Sequence, residues 1–145
     1  MSLQNLVGIS LDTVEPSRET LVRLVEGARR HIADARVVGV SAETRFASAY
    51  TAIRMLADAG LNAHGYRTLT SKPGHHQTAI QSLPLTLGVA ANVVVRLDFL
   101  RKQRNATEYS GDLIPESAVG ECLLQADSLL AIAGEWLKKN RPGLL

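Results

Sequence analysis

The sequence predicts an all-α protein, an antiparallel bundle of about five helices, and three observations carry that expectation. Apolar residues recur at spacings of three and four over most of the chain, the period of a helix face turned toward a core. Residues suited to helix ends bracket those stripes: Ser17 and Ser41 stand before the first two, Gly60 after the second, and Pro142-Gly143 after the last. The strand-like valines Val93, Val94 and Val95 lie in a pattern far longer than a strand of about eight residues, and no second strand is evident to pair with them.

Length and composition bound the rest. A chain of 145 residues suits one domain whose core folds without metal or disulfide staples. With 46% hydrophobic and 21% charged residues, wholesale disorder is excluded. Residues 1–15, in which Leu3, Leu6, Ile9 and Leu11 alternate loosely, read as an extended or frayed arm, and residues 16–145 as the helical-bundle domain.

Within the bundle, Pro16-Ser17 opens a first helix with Leu21, Leu24, Val25, Ala28 and Ile32 inward, leaving Arg18, Arg23, Arg29 and Arg30 on a solvated face. The second helix, 41–60, buries Ala42, Phe46, Ala49, Tyr50, Ile53, Leu56 and Ala57, and its alanines allow close helix approach. Residues 61–74 turn polar and read as a loop long enough to carry function. A third helix over 74–87 is kinked or cut short by Pro84. A fourth spans 89–108 with Val93, Val94, Leu97 and Leu100 inward, and a fifth spans 116–140, with Lys138 and Lys139 complementing its dipole.

Several function classes are disfavoured. A net charge of +2 does not mark a general nucleic-acid binder, but Arg96, Arg101, Lys102 and Arg104 crowd one segment against Asp98 and Glu108, a local basic patch. One cysteine, Cys122, in an apolar stripe fits a reducing, cytoplasmic setting. The N-terminus lacks the features of a signal peptide, and the apolar run 83–95, holding Pro84 and Asn92, is too short to span a membrane. His64, His75 and His76 flank the long loop without the organised spacing of about four zinc ligands, so no metal is expected. Glycine-rich phosphate loops, a nucleophile elbow, paired carboxylates and a helix-turn-helix are all missing, and no cofactor is expected.

The most chemically dense segment is Arg104-Asn105-Ala106-Thr107-Glu108-Tyr109. Arg supplies a permanently charged fork for phosphate or carboxylate, and an amide and a phenol can position or polarise a bound group. A plainer reading is a solvated helix end with an ion pair between Arg104 and Glu108, four residues apart. His75 and His76, behind Gly74 at a helix start, are further anion-binding candidates with Arg101 and Lys102, or else simply a surface pair.

The run from Leu100 to Tyr109 resembles the signature of the HEPN superfamily of helical bundles, an Arg often followed by Asn and separated by four to six residues from a His. Ala49-Tyr50, Gly65-Tyr66-Arg67 and Gly74-His75-His76 extend the likeness loosely over residues 17–140. The resemblance implies a homodimer whose two signature segments meet in a cleft. It implies RNA or nucleotide binding, metal-independent ribonuclease activity in a toxin–antitoxin or defence setting, and an antitoxin or nucleotidyltransferase as partner. Arg104 would then stabilise a pentacoordinate phosphorus and Asn105 would orient the segment. Tyr109 stands where the family has its His; a phenol of pKa near 10 donates a hydrogen bond but is a poor base. His75 or His76 from the neighbouring helix is the expected substitute imidazole. The alternative function is a non-catalytic dimerisation or interaction module.

Overall fold

Ser17 and Ser41 start the two helices that form the centre of the molecule. In the computed structural model, which describes residues 2–144, the Ser17 side chain accepts from Thr20 N at 3.2 Å and opens α1, Arg18–Ala35. Ser41 accepts from Thr44 N at 3.3 Å and opens α2, Ala42–Ala63. Each cap satisfies an amide that the first helical turn would leave unpaired. The last long helix, α6, Glu116–Asn140, lies against both α1 and α2. Small residues on the facing stripes, Ala28, Ala49, Ala57, Ala126 and Ala133, are all buried, which lets the three axes approach closely. Among the described residues the fold is all-α apart from two three-residue strands.

The segment expected as one helix over 74–87 is two: α3, His75–Gln81, and α4, Leu83–Thr86. The break falls at Ser82, whose hydroxyl donates back to Thr78 O at 2.7 Å. Pro84 then sits in the first turn of α4, where a missing N–H leaves nothing unsatisfied. The fourth long helix, α5, Ala91–Ser110, packs against α2, α3 and α4. Of its twenty residues only Leu97 and Leu100 are buried, with Val93 and Val94 partly buried behind them.

Gly60 does not end α2 as its residue type predicts. It is helical and buried, and a Cβ there would come within 2.8 Å of Thr86 Oγ1 and 3.0 Å of Leu87 Cγ. Its role is to let α4 approach. The left-handed turn belongs to Gly65, with φ of +87°.

Gly65 leads into strand β2, Tyr66–Thr68, inside the expected loop. It pairs antiparallel with β1, Leu11–Thr13, placing Asp12 opposite Arg67, whose Nη2 lies 3.2 Å from Asp12 Oδ2. The first fifteen residues thus hold a 3-10 turn, Gln4–Leu6, and a strand whose Leu11 is fully buried. Among the described residues no helix is long and apolar enough to cross a membrane.

Candidate functional site

Two helical stripes and one short helix converge where α2, α3 and α5 meet. Tyr50, Arg54 and Asp58 are spaced by four on α2 and therefore rise along one face. Arg101 and Arg104 occupy neighbouring turns of α5, and His75 and His76 form the first turn of α3, after Gly74 with φ of +78°.

Tyr50 is the centre of the arrangement. Its ring is buried, and the Arg104 guanidinium carbon stands 5.7 Å from the ring centroid, within cation–π range. The Tyr50 hydroxyl donates to His76 Nδ1 across 3.4 Å, and the His76 ring lies edge-on to that of His75 at 4.5 Å between centroids. His75 Nδ1–H donates to Lys72 O at 3.4 Å, which leaves its Nε2 as an acceptor.

Charge is dense and only partly neutralised. Arg54 donates to Asp58 Oδ2 at 3.1 Å, Arg101 to Asp98 Oδ1 at 2.8 Å, and Arg104 pairs with Glu108 at 3.1 Å. Lys102 lies 3.6 Å from Asp98 and extends into solvent. The site thus holds four fixed cations and three carboxylates.

These surroundings shift four titrating groups. Burial pushes the Tyr50 phenol up to about 12 even though Arg104, Arg101 and Arg54 oppose it, so it stays a donor. Burial, then His75 and the three guanidinium groups, push His76 down to about 4, so its imidazole is neutral near pH 7. Burial raises Asp58 to about 6 against the pull of Arg54 and His75. Burial alone would also raise Asp98, but Arg101 and Lys102 hold it below the usual carboxylate range. Four shifted groups meeting a cationic cluster are the pattern of a functional site.

The sequence candidates fall into two groups. Arg101, Arg104, His75 and His76 belong to this cluster. Asn105 touches it through its Oδ1, which accepts from Arg104 Nη1 at 3.3 Å. Lys102 is at the rim, and Tyr109 is 90% exposed with no hydrogen bond to its hydroxyl among the described residues. Sequence reasoning missed Arg54 and Asp58 as site residues and placed Tyr50 only in an apolar stripe. Their signal was a run of polar residues at four-residue spacing on a helix otherwise buried nearly all round.

His64 and Cys122 serve packing. His64 Nε2–H donates to Thr86 O at 2.8 Å and its ring lies 4.9 Å from that of Trp136. Cys122 is fully buried, and burial raises its thiol to about 12.

Two concavities flank the cluster. One, of 340 Å³, lies between the start of α2 and the end of α5 and takes Arg104 in its wall. It also carries Glu43, Glu108 and Asp112, so its acidic rim repels a phosphate. The other, of 480 Å³, begins at Asp58 and runs under β2 and residues 69–71. The chain matches no family model, no curated protein and no solved structure.

Proposed function

We propose that the protein binds RNA at the cluster of Arg104, Arg101, Arg54, His75 and His76 and cleaves it without a metal ion. The observation that carries this reading is the meeting of Arg104 and His76 on Tyr50, a guanidinium and an imidazole fixed on one rigid ring. A phosphodiester approaching from the α3 side meets cations, whereas the Glu43 side presents carboxylates.

In the proposed reaction His75 Nε2 takes the proton from the ribose 2′-hydroxyl, and the 2′-oxygen attacks phosphorus. Arg104, helped by Arg101, stabilises the added charge on the phosphoryl oxygens. The bond to the 5′-oxygen breaks, leaving a 2′,3′-cyclic phosphate and a 5′-hydroxyl. His76, neutral in the free protein, takes up a proton from solvent once the bound phosphate raises its proton affinity, and passes that proton to the leaving oxygen. Asn105 steadies the Arg104 fork. Tyr109, 90% exposed, is left as a surface contact for the strand.

The test is cleavage of a labelled RNA in EDTA, with a 2′-deoxy substitution at the scissile nucleotide as control. Cleavage in EDTA that yields cyclic phosphate and is blocked by the 2′-deoxy control supports the reading; no cleavage and no binding removes it. The toxin–antitoxin or defence setting, and an antitoxin or nucleotidyltransferase partner, rest on the HEPN resemblance alone. Growth arrest on expression, relieved by Arg104→Ala, is the check for that setting.

A second reading, a dimerisation or interaction module, is favoured by the outer face of α5. Val95 is 70% and Phe99 64% exposed there, beside a 550 Å³ groove against α6. Apolar side chains grouped at a groove mark an association surface. The two readings are compatible if a homodimer forms through this face.

A further inference from the structure

The 480 Å³ cavity beneath β2 adjoins the phosphate-binding cluster through a single side chain, Asp58, which belongs to both. Asp58 lies eight residues beyond Tyr50 on the same face of α2, about 12 Å along the helix axis at 1.5 Å per residue. Asn62, one turn further, lines the same cavity and is buried. The remaining wall mixes the hydroxyls of Thr20, Thr68 and Thr70 with the apolar side chains of Val14, Leu24 and Leu69.

The hydrogen-bonding capacity of the pair Asp58 and Asn62 is specific. Arg54 occupies Asp58 Oδ2, and among the described residues Oδ1 has no protein donor. Asn62 Oδ1 accepts from Ser17 N at 3.3 Å, which commits its oxygen to the protein and leaves its NH₂ as a donor. The cavity therefore offers a carboxylate acceptor one helical turn from an amide donor. A bare carboxylate so placed is held at a cost, since burial works against its charge.

Building on the RNA-binding reading, we infer that this cavity is a nucleobase subsite selective for guanine. Asp58 Oδ1 accepts from N1–H, Oδ2 accepts from the adjacent N2–H₂ through the lone pair that Arg54 leaves free, and Asn62 donates to O6. Adenine, cytosine and uracil each lack that pair of adjacent donors, so none can satisfy the carboxylate twice. The phosphate then lies on the cations above, within reach of Arg54 and Arg104.

The experiment is calorimetric titration of the full chain with GMP, AMP, CMP and UMP at pH 7.5, repeated with Asp58→Asn. The expected result is GMP binding about tenfold tighter than the other three, as one bidentate base contact supplies. Within the Asp58→Asn variant GMP should bind no tighter than AMP, with a cooperative melt retained. Equal wild-type affinity for all four overturns the guanine subsite while leaving the phosphate site standing. A preference that survives in Asp58→Asn also overturns it. No binding of any nucleotide removes both the subsite and the RNA-binding reading.

Discussion

Arg104 of α5 stands over the ring of Tyr50 of α2 at 5.7 Å, and that contact ties the basic segment of α5 to the buried centre of the bundle. The ring is itself buried, and it shares a face of α2 with Phe46 and Ile53, which are buried as well. A cation on a flexible stem is thereby held in one place, which is what phosphate recognition requires.

Tyr50→Phe keeps the ring and removes the hydroxyl that reaches His76. We expect a stability loss of about 0.5–1.5 kcal/mol, the net worth of one hydrogen bond, in urea unfolding. Tyr50→Leu should cost more, because the seat of Arg104 goes as well. A Phe variant as destabilised as the Leu variant would show that the hydroxyl, not the ring, holds this region.

Asp58 and His76 make opposing contributions to stability with pH. Asp58 rises from 3.8 to about 6, so between those values the folded form holds a proton that the unfolded form has released, and stability falls as pH rises. His76 drops from 6.5 to about 4, so the unfolded form takes up a proton first, and stability falls as pH is lowered through that window. Between about pH 4 and 6 the two offset each other. His76→Gln should therefore gain stability on acidification from pH 6 to 4, and Asp58→Asn should lose it, each measured by melting temperature against pH. Parallel profiles for the two variants would contradict these shifts.

Much of the scaffold was legible because it rests on local chemistry. Ser17 and Ser41 cap where their residue type predicts, and α6 runs from Glu116 to Asn140 because its stripe and its end signals agree. Gly60 misled because a glycine near a helix end has two uses, and only the position of Thr86 and Leu87 decides between them. The strand pair was illegible for a different reason. Three residues carry too little periodicity, and Leu11 finds its partner Thr68 only after α1 and α2 have folded back. At the site, the hexad drew attention to Arg104, but Arg54 and Asp58 acquire meaning only from the cavity and helices they face.

Gly60→Ala tests the close approach of α2 and α4. The added methyl meets Thr86 Oγ1 and Leu87, an overpacking that costs about 1–3 kcal/mol. The same change should cost less in a Thr86→Ala background, read as a double-mutant cycle in urea. Thr86 Oγ1 is itself buried without a hydrogen-bond partner, so Thr86→Val alone should be neutral or slightly stabilising. A clear loss in Thr86→Val would mean that the hydroxyl is satisfied in solution.

If two copies associate through the outer face of α5, Phe99→Asp should convert a dimer to a monomer in sedimentation equilibrium without lowering the monomer's helicity. Phe99 is exposed in the single chain, so the fold itself does not depend on it. An unchanged dimer would place the interface elsewhere.

The most direct test of the central claim is Arg104→Ala, with RNA binding and melting temperature measured on the same preparation. The Arg104 side chain is 27% exposed and its partner Glu108 52%, so the lost ion pair and cation–π contact together amount to about 1 kcal/mol, a shift of a few degrees. Arg104→Ala should show that small shift together with at least a tenfold loss of RNA affinity and no detectable cleavage. A variant that binds and cleaves RNA as the wild type does, or one that fails to fold, would contradict it.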